Sequence, residues 1–373
     1  MIDGSENVQS CRSELYHVTE CPIPFASGSH HEGVDTLLSL MGGGGLKFYK
    51  TLRGGDLGGA DGLIGSSDVV LVKVNAQWKY RGCTNSDVVR GLVQRILEHP
   101  DGFDGEVVLF ENGQGGGSLE CATTWGGRYP DEGVHANAED ESHSFSYLVD
   151  EVFADSSVSR YLLDPVRGKF IDEDDHTTDG YRRLPPVSYP CFTTENGNRV
   201  ELREGVWNGE GYDDNLRLIT VPVLKHHQGC GITGALKVYY GVLSMMDGGS
   251  RERHYAKLGE HCGAMIARVR APTLSILDCT WVSAGSLAGY PSGTTTRLDQ
   301  LVASLDPVAL DYWASKHLLY PVDHNVEHNP DEFDVLRRHL SQAVDVINSN
   351  GGANGRMVTM KESEMKIHTT SAC

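Results

Sequence analysis

No two of the nine cysteines form a C-x-x-C pair. Cys11, Cys21, Cys83, Cys121, Cys191, Cys230, Cys262, Cys279 and Cys373 are dispersed and odd in number. A zinc ribbon or an iron–sulfur cluster needs closely spaced thiols, so neither is expected, and reduced cysteines in a cytoplasmic protein are the reading. No apolar run approaches the ~20 residues of a membrane span, and Met1 to Glu20 holds no apolar signal-peptide core. Basic residues are short as well: 32 Lys+Arg face 51 Asp+Glu, a net charge of −19. That field repels phosphate backbones and anionic lipid surfaces, which excludes nucleic acid and membrane as expected partners. A small-molecule ligand, even an anionic one, stays open if basic residues converge locally, and a homo-oligomer is not excluded.

Standard catalytic motifs are missing too. There is no G-x-x-x-x-G-K-[ST] and no H-E-x-x-H. Gln114-Gly-Gly-Gly-Ser118 follows a strand but does not open a helix as a dinucleotide fingerprint would, and Ala284-Gly-Ser-Leu-Ala288 is not a nucleophile elbow. His30-His31-Glu32 offers metal-ligand types, but adjacent loop histidines are more often solvated.

The patterning predicts an α/β protein: a mostly parallel sheet with flanking helices, a large irregular insertion and a C-terminal helix. Asp68–Asn75 is a Val-rich run of the kind buried on both faces. Asn85–Glu98 follows as an amphipathic helix, capped by Thr84 or Asn85 and stopped by Pro100, and Glu106–Glu111 is a second strand. That makes a βαβ unit. Further strands are expected at 216–224, 273–277 and 298–304. Helices are expected at 144–153, 232–245, 261–268, 306–317 and from Asn329 to about Asn348, and a hairpin at 199–206. Residues 1–33 read as an irregular segment and 34–320 as the core domain, with a polar insertion at about 112–213. Residues 321–350 read as the C-terminal helix and 351–373 as a disordered tail.

Parallel sheets bind ligands beyond the carboxyl ends of their strands. The strands end in Lys73-Val-Asn75-Ala-Gln77, in Glu111-Asn112, in Lys225-His226-His227-Gln-Gly-Cys-Gly and at Asp278, and the last candidate is followed by Asp306. The densest segment, Val221 to Lys237, delivers Lys225, His226 and His227, then a Gly-rich turn, then Thr233 and Lys237. Exposed amides at a helix start between two lysines would make an anion cradle. Lys225, His226, His227, Lys237 and Glu111 are therefore the catalytic candidates. Lys73, Asn75, Gln77, Asn112, Thr233 and Asp306 are the substrate-binding candidates. Glu111, His226, His227 and Asp278 are the candidate ligands of a divalent metal.

Several of these segments carry a resemblance. Val72-Lys-Val-Asn75, Thr84-Asn-Ser86, Pro222-Val-Leu-Lys225, Thr233-Gly-Ala-Leu-Lys237 and Ser304-Leu-Asp-Pro-Val-Ala-Leu-Asp311 resemble the family catalogued as domain of unknown function 362, over roughly residues 33–320. In that family they look like a K-P-N strand end, a P-x-L-K-x-H segment leading to a helix lysine, and a D-x-x-A-x-D helix. Val74 stands here in place of the usual Pro, and Val238 in place of the usual Asn. Some relatives carry an added ferredoxin-like module, whose cysteine cluster this chain lacks. The resemblance implies the core layout and brings no reaction with it.

Three readings remain open. The first is an enzyme acting on a small carboxylated or phosphorylated compound through a Lys/His/carboxylate cleft. The second is a non-catalytic metal-binding or redox-partner accessory protein, and the third a structural or interaction protein.

Overall fold

In the computed structural model, residues 12–22, 30–248 and 252–372 are described. The central sheet runs in the order Met365–Ser371, Ser13–Thr19, Thr295–Ser304, Leu274–Ser283, Leu216–Val221, Val69–Val74, Glu106–Glu111, Val158–Leu162. Along that path only Thr295–Ser304 runs against its neighbours, so the sheet is mostly parallel, as the patterning predicts. The reason the Val-rich run has no polar face is visible in its packing. Val69 and Leu71 point into one core with Leu218, while Val70, Val72 and Val74 point into the other with Leu92 and Ile96. Each such side chain contributes about 1.5–3 kcal/mol when fully buried. The Ser86–Leu97 helix covers this second face, with Asn85 Oδ1 accepting from the amides of Asp87 (2.9 Å) and Val88 (3.2 Å).

The insertion carries a second sheet of five antiparallel strands, which includes the expected hairpin as Arg199–Glu201 paired with Gly205–Trp207. Other expectations need correction. Of the segment read as irregular, residues 1–11 and 23–29 lie outside the described residues, but Ser13–Thr19 is a sheet strand. The segment read as a disordered tail ends in another strand, Met365–Ser371, parallel to Ser13–Thr19. That edge strand is only partly buried, so it needs no apolar run and left no signal. His31 is buried and caps the Glu32–Gly43 helix through Nδ1. The last helix starts at Asp334 rather than Pro330, because Asn329 closes a turn onto Asp331 instead. The helix expected at 232–245 is replaced by a short strand, Gly231–Thr233, and a 3-10 turn, Lys237–Gly241.

Candidate functional site

Val69–Val74, Glu106–Glu111 and Leu216–Val221 are parallel, so their carboxyl ends meet at one edge of the sheet. At that edge Pro222 interrupts the third strand and the chain resumes as Val223–His227. Three hydrogen bonds hold the break. Val223 N donates to Asn75 Oδ1 (3.0 Å), Asn75 N to Thr84 Oγ1 (2.8 Å), and Thr84 Oγ1 to Val221 O (2.6 Å). Asn75 and Thr84 therefore splice the strand, and the spliced strand, still paired with Leu274–Ser283, carries Lys225 and His227 beyond the ends of Val69–Val74 and Glu106–Glu111.

A cleft of about 280 Å³ opens there. Lys73, Asn75, Gln77, Glu111, Asn112, Lys225, His227, Thr233 and Lys237 line it, nine of the residues singled out from the sequence. The other three sit elsewhere. Strand alternation turns His226 away from its two neighbours, and its Nδ1 lies 3.0 Å from Nε2 of the buried His328. Asp278 is not at a strand end, because its strand runs on to Ser283. Its carboxylate is fully buried and accepts from Asn85 N (2.8 Å) and from Thr280 N (3.0 Å) and Oγ1 (2.7 Å). Asp306 follows the one antiparallel strand and so emerges at the opposite edge. There it caps the Pro307–Ala314 helix through Val308 N and Ala309 N (both 2.9 Å) and accepts from Ser13 Oγ. The expected metal quartet of Glu111, His226, His227 and Asp278 does not converge.

Glu111 is committed within the cleft floor. Its Oε1 accepts from Lys73 Nζ and from Asn112 N (2.7 Å), and its Oε2 from Ala76 N (2.7 Å). Lys73 and Glu111 are 1% and 3% exposed, which makes them a buried ion pair rather than a reactive couple. The Lys237–Gly241 turn lies directly over the pair: a Cβ on Gly241 would sit 3.3 Å from both Glu111 Oε1 and Lys73 Nζ.

The anion cradle expected from helix-start amides is already filled. Ala235 N and Leu236 N donate to the two carboxylate oxygens of Asp311, at 2.6 and 2.8 Å. Gly234 makes that approach feasible, since a Cβ there would stand 2.2 Å from Asp311 Oδ1. Burial pushes Asp311 up to about 7. The Gly-rich turn thus receives a carboxylate of the protein itself.

What remains available is the lysines. Lys225 is 2% exposed, and among the described residues its Nζ donates only to Gly82 O. Lys237 stands 5.3 Å over the Tyr240 ring. Among the described residues neither has a carboxylate within ion-pair distance. Burial, with some repulsion from Lys237, pushes Lys225 down to about 7; burial also lowers Lys237. Arg128 adds a further cation on the rim, and its guanidinium lies 5.5 Å from the Trp78 ring. Against Lys73, Arg128, Lys225 and Lys237 the lining sets one carboxylate, Glu111, in a chain of net charge −19. Burial first, and Lys237 second, hold His227 well below the ordinary histidine range and His254 down to about 3, so both imidazoles are neutral.

The sequence reading missed Arg128, His254, Tyr240 and Tyr255 in the lining. Arg128 lies in the polar insertion, and His254 lies in the helical turn Glu252–Ala256. Neither falls at a strand end, which was the signal used.

Residues 210–316 match a family model described as a domain of unknown function, DUF362. No curated protein and no solved structure matches the chain. The matched segment holds Lys225, His227, Lys237 and Asp311, whereas Lys73 and Glu111 lie outside it. Among the described residues no helix is long and apolar enough to cross a membrane.

Proposed function

We propose that the protein is an enzyme acting on a small anionic compound, carboxylated or phosphorylated, held between Lys225, Lys237 and Arg128. The observation that supports this reading is a buried Lys225 and a half-buried Lys237 in one cleft, with no carboxylate within ion-pair distance of either among the described residues. Unpaired buried charge is costly, and a bound anion would offset that cost. Trp78 and Trp125 supply an apolar wall, and Gln77 and Thr233 supply hydrogen-bonding groups for orientation. Two groups can take a proton from the bound compound. One is Lys225, whose burial brings its amine near neutrality, and the other is His227, kept neutral by burial.

The test is a thermal-shift panel of small carboxylates, phosphate monoesters and their uncharged analogues. At least one anion is expected to raise the melting temperature by several degrees while its uncharged analogue does not. Lys237→Ala should lose about 1.5–3 kcal/mol of the binding, the usual contribution of a charge-assisted contact. A panel without any shift, or an equal shift in Lys237→Ala, contradicts the reading.

A further inference from the structure

We infer that His227, Cys230 and His254 form a binding site for a zinc-class divalent cation, opening on the cleft. One ligand atom from each residue lies within 4.8 Å of the other two, and no other such group of three occurs among the described residues. Tetrahedral zinc with one sulfur and two nitrogens needs separations of about 3.5 Å, so side-chain movements of about 1 Å close the site.

The chain prepares each ligand. Gly229 (φ 78°) and Gly231 (φ 87°) flank Cys230 in the left-handed region, and Cys230 N donates to His227 O at 3.0 Å. That tight turn brings the thiol back beside the histidine three residues earlier. His227 Nδ1 lies 3.0 Å from Gln228 O. Donation to that carbonyl fixes the tautomer and leaves the Nε2 lone pair for a metal, as outer carbonyls do in metal sites. His254 reaches the turn from the Glu252–Ala256 segment, held by its stack on Tyr255 (4.6 Å, 6°). Its Nε2 is buried and has no hydrogen-bond partner. A metal would satisfy that nitrogen.

Two imidazoles and a thiolate select zinc, cobalt or copper over magnesium and calcium, which prefer oxygen. Three protein ligands leave a fourth position, and His227 and His254 both line the cleft, so that position faces the space where an anion would lie. Binding converts the Cys230 thiol to a thiolate and releases its proton to solvent. The thiolate's charge also offsets Lys237, the nearby cation that burdens His227 and His254. This inference goes beyond the anion reading and does not depend on it, because a metal would bind whether or not the cleft holds an anion; a ligated His227 is then no longer a proton acceptor.

Cobalt(II) titration of the metal-stripped full chain tests it. The expected result is one equivalent bound, with a thiolate-to-cobalt charge-transfer band that zinc abolishes by displacement. Cys230→Ser should lose the band, and Cys230→Ser and His254→Ala should each weaken binding by at least about 100-fold, beyond what loss of an outer partner costs. Cys191→Ser, which removes a buried thiol from the second sheet, should bind like wild type. Circular dichroism checks each fold; should Cys230→Ser not fold, His254→Ala and Cys191→Ser decide. The site is overturned if binding is not stoichiometric, if the band survives in Cys230→Ser, or if His254→Ala binds as tightly as wild type.

Discussion

Replacing Lys225 with methionine is expected to stabilise the ligand-free protein by about 2 kcal/mol below pH 7, while weakening its response to anions. In the fold the Lys225 amine is pushed down to about 7, against 10.5 for an unburied lysine. The folded chain therefore binds fewer protons than the unfolded chain between those two values. Wild-type stability accordingly rises with pH across that window, and the penalty of burying the charge is fully present below pH 7. The gap of pKa values corresponds to about 5 kcal/mol at most, and the loss of the donor to Gly82 O returns about 1–3 kcal/mol of it. The variant's advantage should shrink by about 1.4 kcal/mol per pH unit from pH 7 upward, cross zero near pH 8.5, and become a deficit of about 3 kcal/mol, the lost donor, once the unfolded lysine is also neutral above about pH 10.5. Urea denaturation of both proteins at a series of pH values checks this, since the other titrating groups cancel in the difference. A destabilised Lys225→Met protein at pH 6 would mean that the lysine is a structural donor and that its burial carries no functional reserve.

Glu111→Gln is expected to cost about 3–5 kcal/mol, the penalty for removing one partner of a buried ion pair. The amide would leave Lys73 charged and uncompensated. Because Oε1 and Oε2 both accept backbone N–H groups, its NH2 would also face a donor whichever way it turned. Lys73→Met in the same chain should restore the part due to the stranded ammonium but not the part due to the mismatched amides. The double variant should then be more stable than Glu111→Gln alone, a non-additivity of 1 kcal/mol or more. Denaturation midpoints of the four proteins in the cycle supply the comparison. Glu111→Gln with wild-type stability would return Glu111 to the list of reactive groups.

The sequence made the sheet legible because its central strands are buried on both faces, and short apolar runs rich in β-branched residues mark such strands. The edge strand Met365–Ser371 was not legible because an outer strand needs no such run, and Ser13–Thr19 beside it mixes polar Glu14 and His17 with its apolar residues. Much of the lining of the cleft followed from one rule applied to parallel strands, which placed Lys73, Glu111 and Lys225 there. It failed for Asp306, whose strand is antiparallel, and for Asp278, whose strand runs six residues further than the apolar period suggested. Strand direction and true strand length are tertiary facts. Asp311 shows a different limit. Its position in a helix suggested nothing about the amides of Ala235 and Leu236, yet it fills the very turn that looked like an anion cradle. His254 reaches Cys230 only through the path of the intervening chain, and no spacing in the sequence encodes that.

Proton uptake on ligand binding tests most directly whether the cleft holds an anion against Lys225. The anion identified in the thermal panel is titrated calorimetrically at pH 8 in two buffers of different ionisation enthalpy. With its amine near 7, Lys225 is mostly neutral before binding, and an anion beside it favours the charged form. More than about half a proton should be taken up per ligand in wild type and almost none in Lys225→Met. Identical heats in both buffers for the wild-type protein, with binding intact, would show that the anion does not bind against Lys225.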